Sequence, residues 1–181
     1  MTLYRRYVDL LYFLYFAMHL FASVCIDIQA LVPAYYVPQL FRDILQGAPF
    51  STTHADYLVK SADPLLPNAW LPQYTWFRIS LLSEFVFQLP VFAIGLYAMW
   101  NNEKRWYPLL ATYGAIGCFT TMQCIATVLL GEERAALTPA NLRFLLQNYV
   151  PFMLIPGVIA VDFTLRSMRL LSVHKKQEKG Q

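Results

Sequence analysis

The sequence predicts an all-α integral membrane protein: a four-helix transmembrane bundle with a lumenal loop cap and both termini in the cytosol. Three observations lead there. The 181 residues are 57% hydrophobic and 16% aromatic but only 14% charged, where a soluble domain carries roughly 25% charge. Four apolar runs, at about 7–32, 77–99, 107–130 and 148–168, are each long enough to cross a bilayer. Positive charge is shared unevenly between their flanks. One side holds Arg5, Arg6, Lys104, Arg105, Arg166, Arg169, Lys175, Lys176 and Lys179, the other Arg42, Lys60, Arg78, Arg134 and Arg143, nine against five. The richer side belongs in the cytosol. Residues 1–168 then form one four-span membrane domain, and 169–181 a polar cytosolic tail. Four spans without a long repeat suggest a compact left-handed bundle with no pore of its own.

The first span follows Arg5 and Arg6. Arginines before an apolar run also describe a signal peptide, but this run is long for one and contains Asp27. His19, Ser23 and Asp27 recur at i, i+4 and i+8, a polar stripe along one side that should face other helices rather than lipid. Pro33 ends the span. Residues 33–75 hold six prolines and are too polar to span and too aromatic to be disordered. Short helices packed as a cap are expected there, one of them over Tyr36–Leu45. Asp63 before Pro64 is an N-cap arrangement, a structural role.

Trp76 and Trp100 mark the two membrane surfaces of the second span. Pro90 lacks an N–H and should kink that span. Residues 101–105 form a charged hairpin. In the third span Gly114 and Gly117 permit close helix contact. Residues 131–147 are expected to make an exposed connection. Pro151 and Pro156 lie inside the fourth span and should bend or locally unwind it. Asp162 and Arg166, four residues apart, should pair at the membrane surface.

The composition also excludes much. A net charge of +3 is too small and too dispersed for nucleic acid. Cys25, Cys118 and Cys124 are an odd set inside predicted spans, hence reduced packing residues. There is no CxxC, HExxH, glycine-rich phosphate loop, Ser/His/Asp signature or Asn-x-Ser/Thr sequon. No metal set and no cofactor is implied. His19 reads as a packing or hydrogen-bonding residue, and His54 and His174 as exposed.

The chemistry concentrates on Glu84 and Asp27. Glu84 and Gln88 share one helix face. A carboxyl in a spanning helix costs roughly 2.5–3.5 kcal/mol on insertion scales, which makes it a functional suspect. Asp27 and Glu84 both lie toward the lumenal ends of their spans and can meet in one cavity. Two carboxyls together in low dielectric cannot both ionise cheaply, so one should hold a proton. The pair then offers one negative charge and one hydrogen-bond donor, which suits a cationic amine or a carbocation formed during proton shuttling. Phe85, Phe87, Tyr113, Tyr149 and Phe152 would supply aromatic walls for a flat apolar ligand. The alternative is that the acids only hold helices together.

Four strings occur in order at suitable spacing: Asp27-Ile28-Gln29-Ala30, Asp63-Pro64-Leu65-Leu66, Glu84-Phe85-Val86-Phe87-Gln88-Leu89-Pro90 and Tyr149-Val150-Pro151-Phe152-Met153-Leu154-Ile155-Pro156. Through them the chain, from about Tyr7 to Arg166, resembles the sigma-2 receptor (transmembrane protein 97) family. That family belongs to the EXPERA superfamily together with the emopamil-binding sterol isomerase. The resemblance implies a multi-pass endoplasmic-reticulum protein, found also at the nuclear envelope and lysosomal membrane. It implies a homodimer that binds sterols and hydrophobic amines in an intramembrane pocket open to the bilayer. A role in cholesterol homeostasis follows, with a Niemann–Pick type C sterol transporter as partner.

Carried over by the same resemblance, Asp27 matches the acid that salt-bridges the amine, and Glu84 a protonated acid bonded to it. Gln88 matches a polar pocket residue, and Tyr113 and Thr120 third-helix wall positions. Asp63 matches a structural acid of the lumenal loop. The chain departs from the family in carrying Phe152 where a second tyrosine is usual and Ile116 where a histidine is expected. Its Asp27-to-Glu84 loop is longer, and its tail lacks a clean dilysine signal.

Three functions compete. A non-catalytic sterol and amine receptor is favoured. A sterol Δ8–Δ7 isomerase would use the acids to protonate one carbon and deprotonate another. Its relatives, however, have five spans, and no further His/Glu or Asn/Trp set is visible in the pocket-lining spans here. A scaffold would bind no ligand at all.

Overall fold

A computed structural model describes residues 6–31, 39–40, 43, 47 and 50–178, with the side chains of residues 29, 50 and 173–178 left out. Among the described residues the chain is helical without strands, and four helical stretches are long and apolar enough to cross a membrane: Tyr7–Asp27, Pro72–Asn101, Lys104–Leu130 and Pro139–Ser172.

The first stretch begins as α1 (Tyr7–Ala22), loosens into a π turn over Ser23–Asp27, and resumes as α2 (Ile28–Leu31). Its inward face carries Tyr12, Tyr15, Phe16 and His19, at the 3-to-4 spacing of a helix packed on one side. The helix expected over Tyr36–Leu45 lies largely outside the described residues. Helix α3 (Phe50–Ser61) lies across the π turn of the first span and against the fourth. It ends at Ala62, whose left-handed φ of 47° turns the chain into Asp63. The following turns bury Leu65, Leu66 and Ala69 against Tyr74, Phe77, Leu81 and Cys124, which makes the cap an integral part of the core.

The second stretch runs through α4 (Thr75–Ser83), a π turn over Glu84–Gln88, and α5 (Leu89–Asn101). The break expected at Pro90 therefore takes the form of a π turn just before it. The Leu89 N–H reaches back five residues to the Glu84 carbonyl, at the point where Pro90 has no N–H to offer. Asn102, at φ 57°, closes the helix in the left-handed conformation that asparagine tolerates.

Helix α6 (Tyr107–Leu130) packs most extensively against α7 (Pro139–Glu178). Gly114 is the reason they come so close: a Cβ there would lie 2.5 Å from the Pro156 carbonyl oxygen and 2.6 Å from the Ala160 nitrogen. The unwinding expected at Pro151 and Pro156 does not occur, because α7 is one uninterrupted helix of 40 residues. Close packing on α6 holds the turn around Pro156 that isolated proline propensity would loosen. The connection expected over 131–147 is largely exposed, as the sequence suggests, but it is structured. It holds a 3₁₀ turn at Glu132–Ala136 and the first turns of α7, and Val128, Leu137 and Leu145 bury a small core there. Residues 169–178, read as a polar tail, continue α7.

The Asp162–Arg166 pair forms at 2.7 Å, as the spacing predicts. It is one half of a larger cluster. Arg166 also donates to Asp9 at 2.5 Å, Arg6 donates to Asp9 at 2.8 Å and to the Met99 carbonyl at 2.7 Å, and Tyr12 donates to Asp162 at 3.0 Å. This knot ties α1, α5 and α7 together at the end of the bundle away from the cap.

Candidate functional site

Both acids sit on the π turns: Asp27 is the last residue of one and Glu84 the first of the other. Each turn is closed by an N–H reaching five residues back, Ile28 to Ser23 and Leu89 to Glu84. Such turns widen a helix locally and recur at functional sites. The two acids are neighbours: both line the same cavity and the same small crevice behind it. Ser23 Oγ hydrogen-bonds Glu84 Oε1, and His19 Nε2 stands 3.9 Å from the same oxygen.

These groups face a cavity of about 290 Å³ between the first, second, third and fourth spans and the cap. That volume is near the lower end for small-molecule pockets. Asp27, Glu84, Thr120, Tyr149 and Phe152 all line it, with His19, Ile26, Leu66, Phe77 and Leu81 completing much of the wall. The Thr120 hydroxyl is turned to the Ile116 and Gly117 carbonyls of its own helix, at 3.1 and 3.2 Å.

Gln88 and Tyr113, expected on the wall, lie behind it. Gln88 is buried with its Oε1 against Gly117. Tyr113 is fully buried and points its hydroxyl at His19 Nδ1, 3.0 Å away. Phe85 and Phe87 are also off the cavity: Phe85 borders a small crevice on the far side of the acids, and Phe87 packs on the main core.

Three further residues contribute. His19, read from the sequence as a packing or hydrogen-bonding residue, does both. Its Nδ1 meets both Tyr15 and Tyr113 hydroxyls at 3.0 Å, and its ring is flanked by Phe92 and Phe152 with centroids 4.5 and 4.6 Å away. His19 thus converges on Glu84, one of the two acids singled out from the sequence. Tyr57, from the cap, lines the cavity and donates to Asp63 at 2.8 Å. Burial pushes its phenol well above the ordinary range, and Asp63 adds to the effect. His54 is half-buried rather than exposed and hydrogen-bonds the Ile26 backbone, which tethers the cap to the π turn. Burial pulls its imidazole below the usual value, and the hydrogen bond only partly offsets this. Of these signals only the His19–Ser23–Asp27 spacing was visible in the sequence.

The helix expected to start at Pro64 is absent, so Asp63 caps a run of turns instead of a helix. It accepts from the Leu65 N–H at 2.7 Å and the Leu66 N–H at 3.4 Å, and also from Tyr149 at 2.6 Å, so it supports the cavity wall from behind.

A helical membrane bundle with an enclosed acid pair defines the class. Residues 49–163 match the family model described as EXPERA, the expanded EBP superfamily, and the chain belongs to that superfamily. Over 184 residues it is 30% identical to Sigma intracellular receptor 2 of Homo sapiens, covering 97% of each chain. The protein of that name from Macaca fascicularis is 29% identical over the same length. The one from Xenopus tropicalis is 25% identical over 185 residues, covering 99% of this chain and 100% of the relative.

Proposed function

We propose that this protein is an intramembrane receptor for hydrophobic cationic amines and for sterols, acting in sterol homeostasis or trafficking. The observation that carries the reading is a largely apolar cavity with two acids, Asp27 and Glu84, on its wall; together in low dielectric they would share one proton and carry one negative charge. A single negative charge in low dielectric attracts one ammonium strongly. Tyr149 and Phe152 offer ring faces to the cation and its skeleton. The similarity to receptors named as intracellular supports a receptor role on an intracellular membrane. The endoplasmic reticulum, a homodimeric state, cytosolic termini and a Niemann–Pick type C transporter as partner belong to the same proposal.

The test is saturation binding of a tritiated hydrophobic amine of the sigma-ligand type to purified protein. Wild type should bind saturably, Asp27→Asn should abolish binding, and Glu84→Gln should weaken it. Folded wild type without saturable binding would overturn the reading and leave the acids a role in assembly.

A second reading is a sterol isomerase. It is favoured by membership of the EBP superfamily and by His19 beside Glu84, which puts a second proton-handling group on the cavity wall. Incubating the same preparation with a Δ8 sterol and resolving Δ8 and Δ7 products separates it from the receptor reading.

A further inference from the structure

His19, Tyr15 and Tyr113 form a closed triangle of polar atoms. The two hydroxyls each lie 3.0 Å from Nδ1 and 3.4 Å from each other. Tyr15 is 4% exposed and Tyr113 not at all. Among the described residues neither hydroxyl has another hydrogen-bond partner. The two hydroxyl protons must therefore be accepted inside the triangle. If Nδ1 is bare, Tyr113 donates to Tyr15 and Tyr15 donates to Nδ1, and every proton has an acceptor. If Nδ1 carries a proton, one buried hydroxyl proton has no acceptor, which is costly. Proton counting thus selects the neutral tautomer with the hydrogen on Nε2. The flanking Phe92 and Phe152 rings keep the imidazole from turning.

That Nε2 faces Glu84 Oε1, the oxygen Ser23 also engages. At 3.9 Å the contact is longer than a hydrogen bond, but the N–H dipole still acts on the oxygen through a low-dielectric gap. With Nε2 and the Ser23 hydroxyl both on the side of Oε1, that oxygen is the acceptor of the Ser23 proton. A proton shared by the acids is then best held away from Oε1.

We propose that His19 is a positioning residue: its tyrosine-locked Nε2–H and the Ser23 hydroxyl together hold the shared proton away from Glu84 Oε1, so that the pair shows the cavity one fixed negative charge. The inference rests on the receptor reading for its binding consequence but not for the tautomer itself.

Two measurements test it. The first is nitrogen-15 NMR of imidazole-labelled full-length protein in lipid, with the His19 signal identified by its loss in His19→Gln. The Nε2-protonated neutral tautomer is expected, and its loss in the double variant Tyr15→Phe/Tyr113→Phe. An Nδ1-protonated or charged ring in wild type overturns the proposal, whether or not any ligand binds. The second compares a tritiated hydrophobic tertiary amine with the uncharged N-acyl analogue of the same skeleton. His19→Leu should weaken the amine about tenfold more than it weakens the analogue, the worth of one hydrogen bond to a charged group. His19→Gln, which keeps a donor, should restore most of the amine affinity. Equal losses for both ligands, or no loss for the amine, would reduce His19 to packing. Absence of amine binding in wild type would instead overturn the receptor reading, and the NMR result would then decide the inference alone.

Discussion

Tyr149 donates its hydroxyl to Asp63 at 2.6 Å, which joins the last span to the cap at the cavity wall. Asp63 accepts from two phenols and two backbone N–H groups, so it organises the cap as well as closing it. Asp63→Ala would leave those donors without their acceptor, at a cost of about 3 kcal/mol or more. Hydrogen–deuterium exchange should show faster exchange over residues 50–66, with the far end of the bundle unaffected. Tyr149→Phe removes one bond and should cost about 1 kcal/mol.

Gly114 gives the sharpest steric prediction. A side chain there meets backbone atoms of Pro156 and Ala160 rather than movable side-chain tips. Gly114→Val should force α6 and α7 apart and lower stability by about 3 kcal/mol, read as a lower melting temperature in detergent. Gly95 faces only the Phe16 ring, at 2.9 Å. Gly95→Ala should therefore be milder, because a ring can shift where a backbone cannot.

Asp9 is the buried hinge of the charged knot, its side chain 5% exposed and bonded to both Arg6 and Arg166. Asp9→Asn removes one negative charge, leaving Arg166 with Asp162 as its ion-pair partner and Arg6 with the Met99 carbonyl and Asn102. A loss of about 3 kcal/mol is expected. Thermal melting in a neutral detergent checks this, and Glu103→Gln, an exposed partner of Arg105, is the control expected to change nothing measurable.

His54 predicts a pH dependence confined to the cap. Its imidazole is held below the ordinary value of about 6.5 by burial, so the open cap takes up a proton more readily than the closed one. Cap stability is therefore full above pH of about 6.5 and falls as the pH drops below it, levelling off only beneath the folded value. Protection over α3, the exchange rate measured against the intrinsic rate at each pH, should fall as the pH drops from neutrality to mildly acid, and His54→Gln should flatten that profile. Protection that rises on acidification would contradict the sign.

The spans, their small-residue contacts and the two acids were legible because they rest on hydropathy, spacing and the cost of charge in lipid. What escaped depends on partners far away in the chain. Asp9 reads as the i+3 mate of Arg6, and nothing nearby announces Arg166, 157 positions on. His19 lies on the visible polar stripe, but its tautomer is set by Tyr113 on another helix. Pro151 and Pro156 carry a strong local signal for breakage that packing on α6 overrides. The π turns escaped because a five-residue hydrogen-bond register leaves the apolar pattern almost unchanged.

Those turns bear on how this chain can be compared with others. A π turn holds one residue more than an α-helix needs for the same span. Removing one residue from either would restore ordinary helix over the same span, leaving the flanking helix in place but changing which side chains of the turn face the cavity. The meeting of Asp27 with Glu84 is thus a property of chain length at two places as much as of residue type. A relative may keep both acids in its sequence and still not bring them together, unless it also keeps both supernumerary residues.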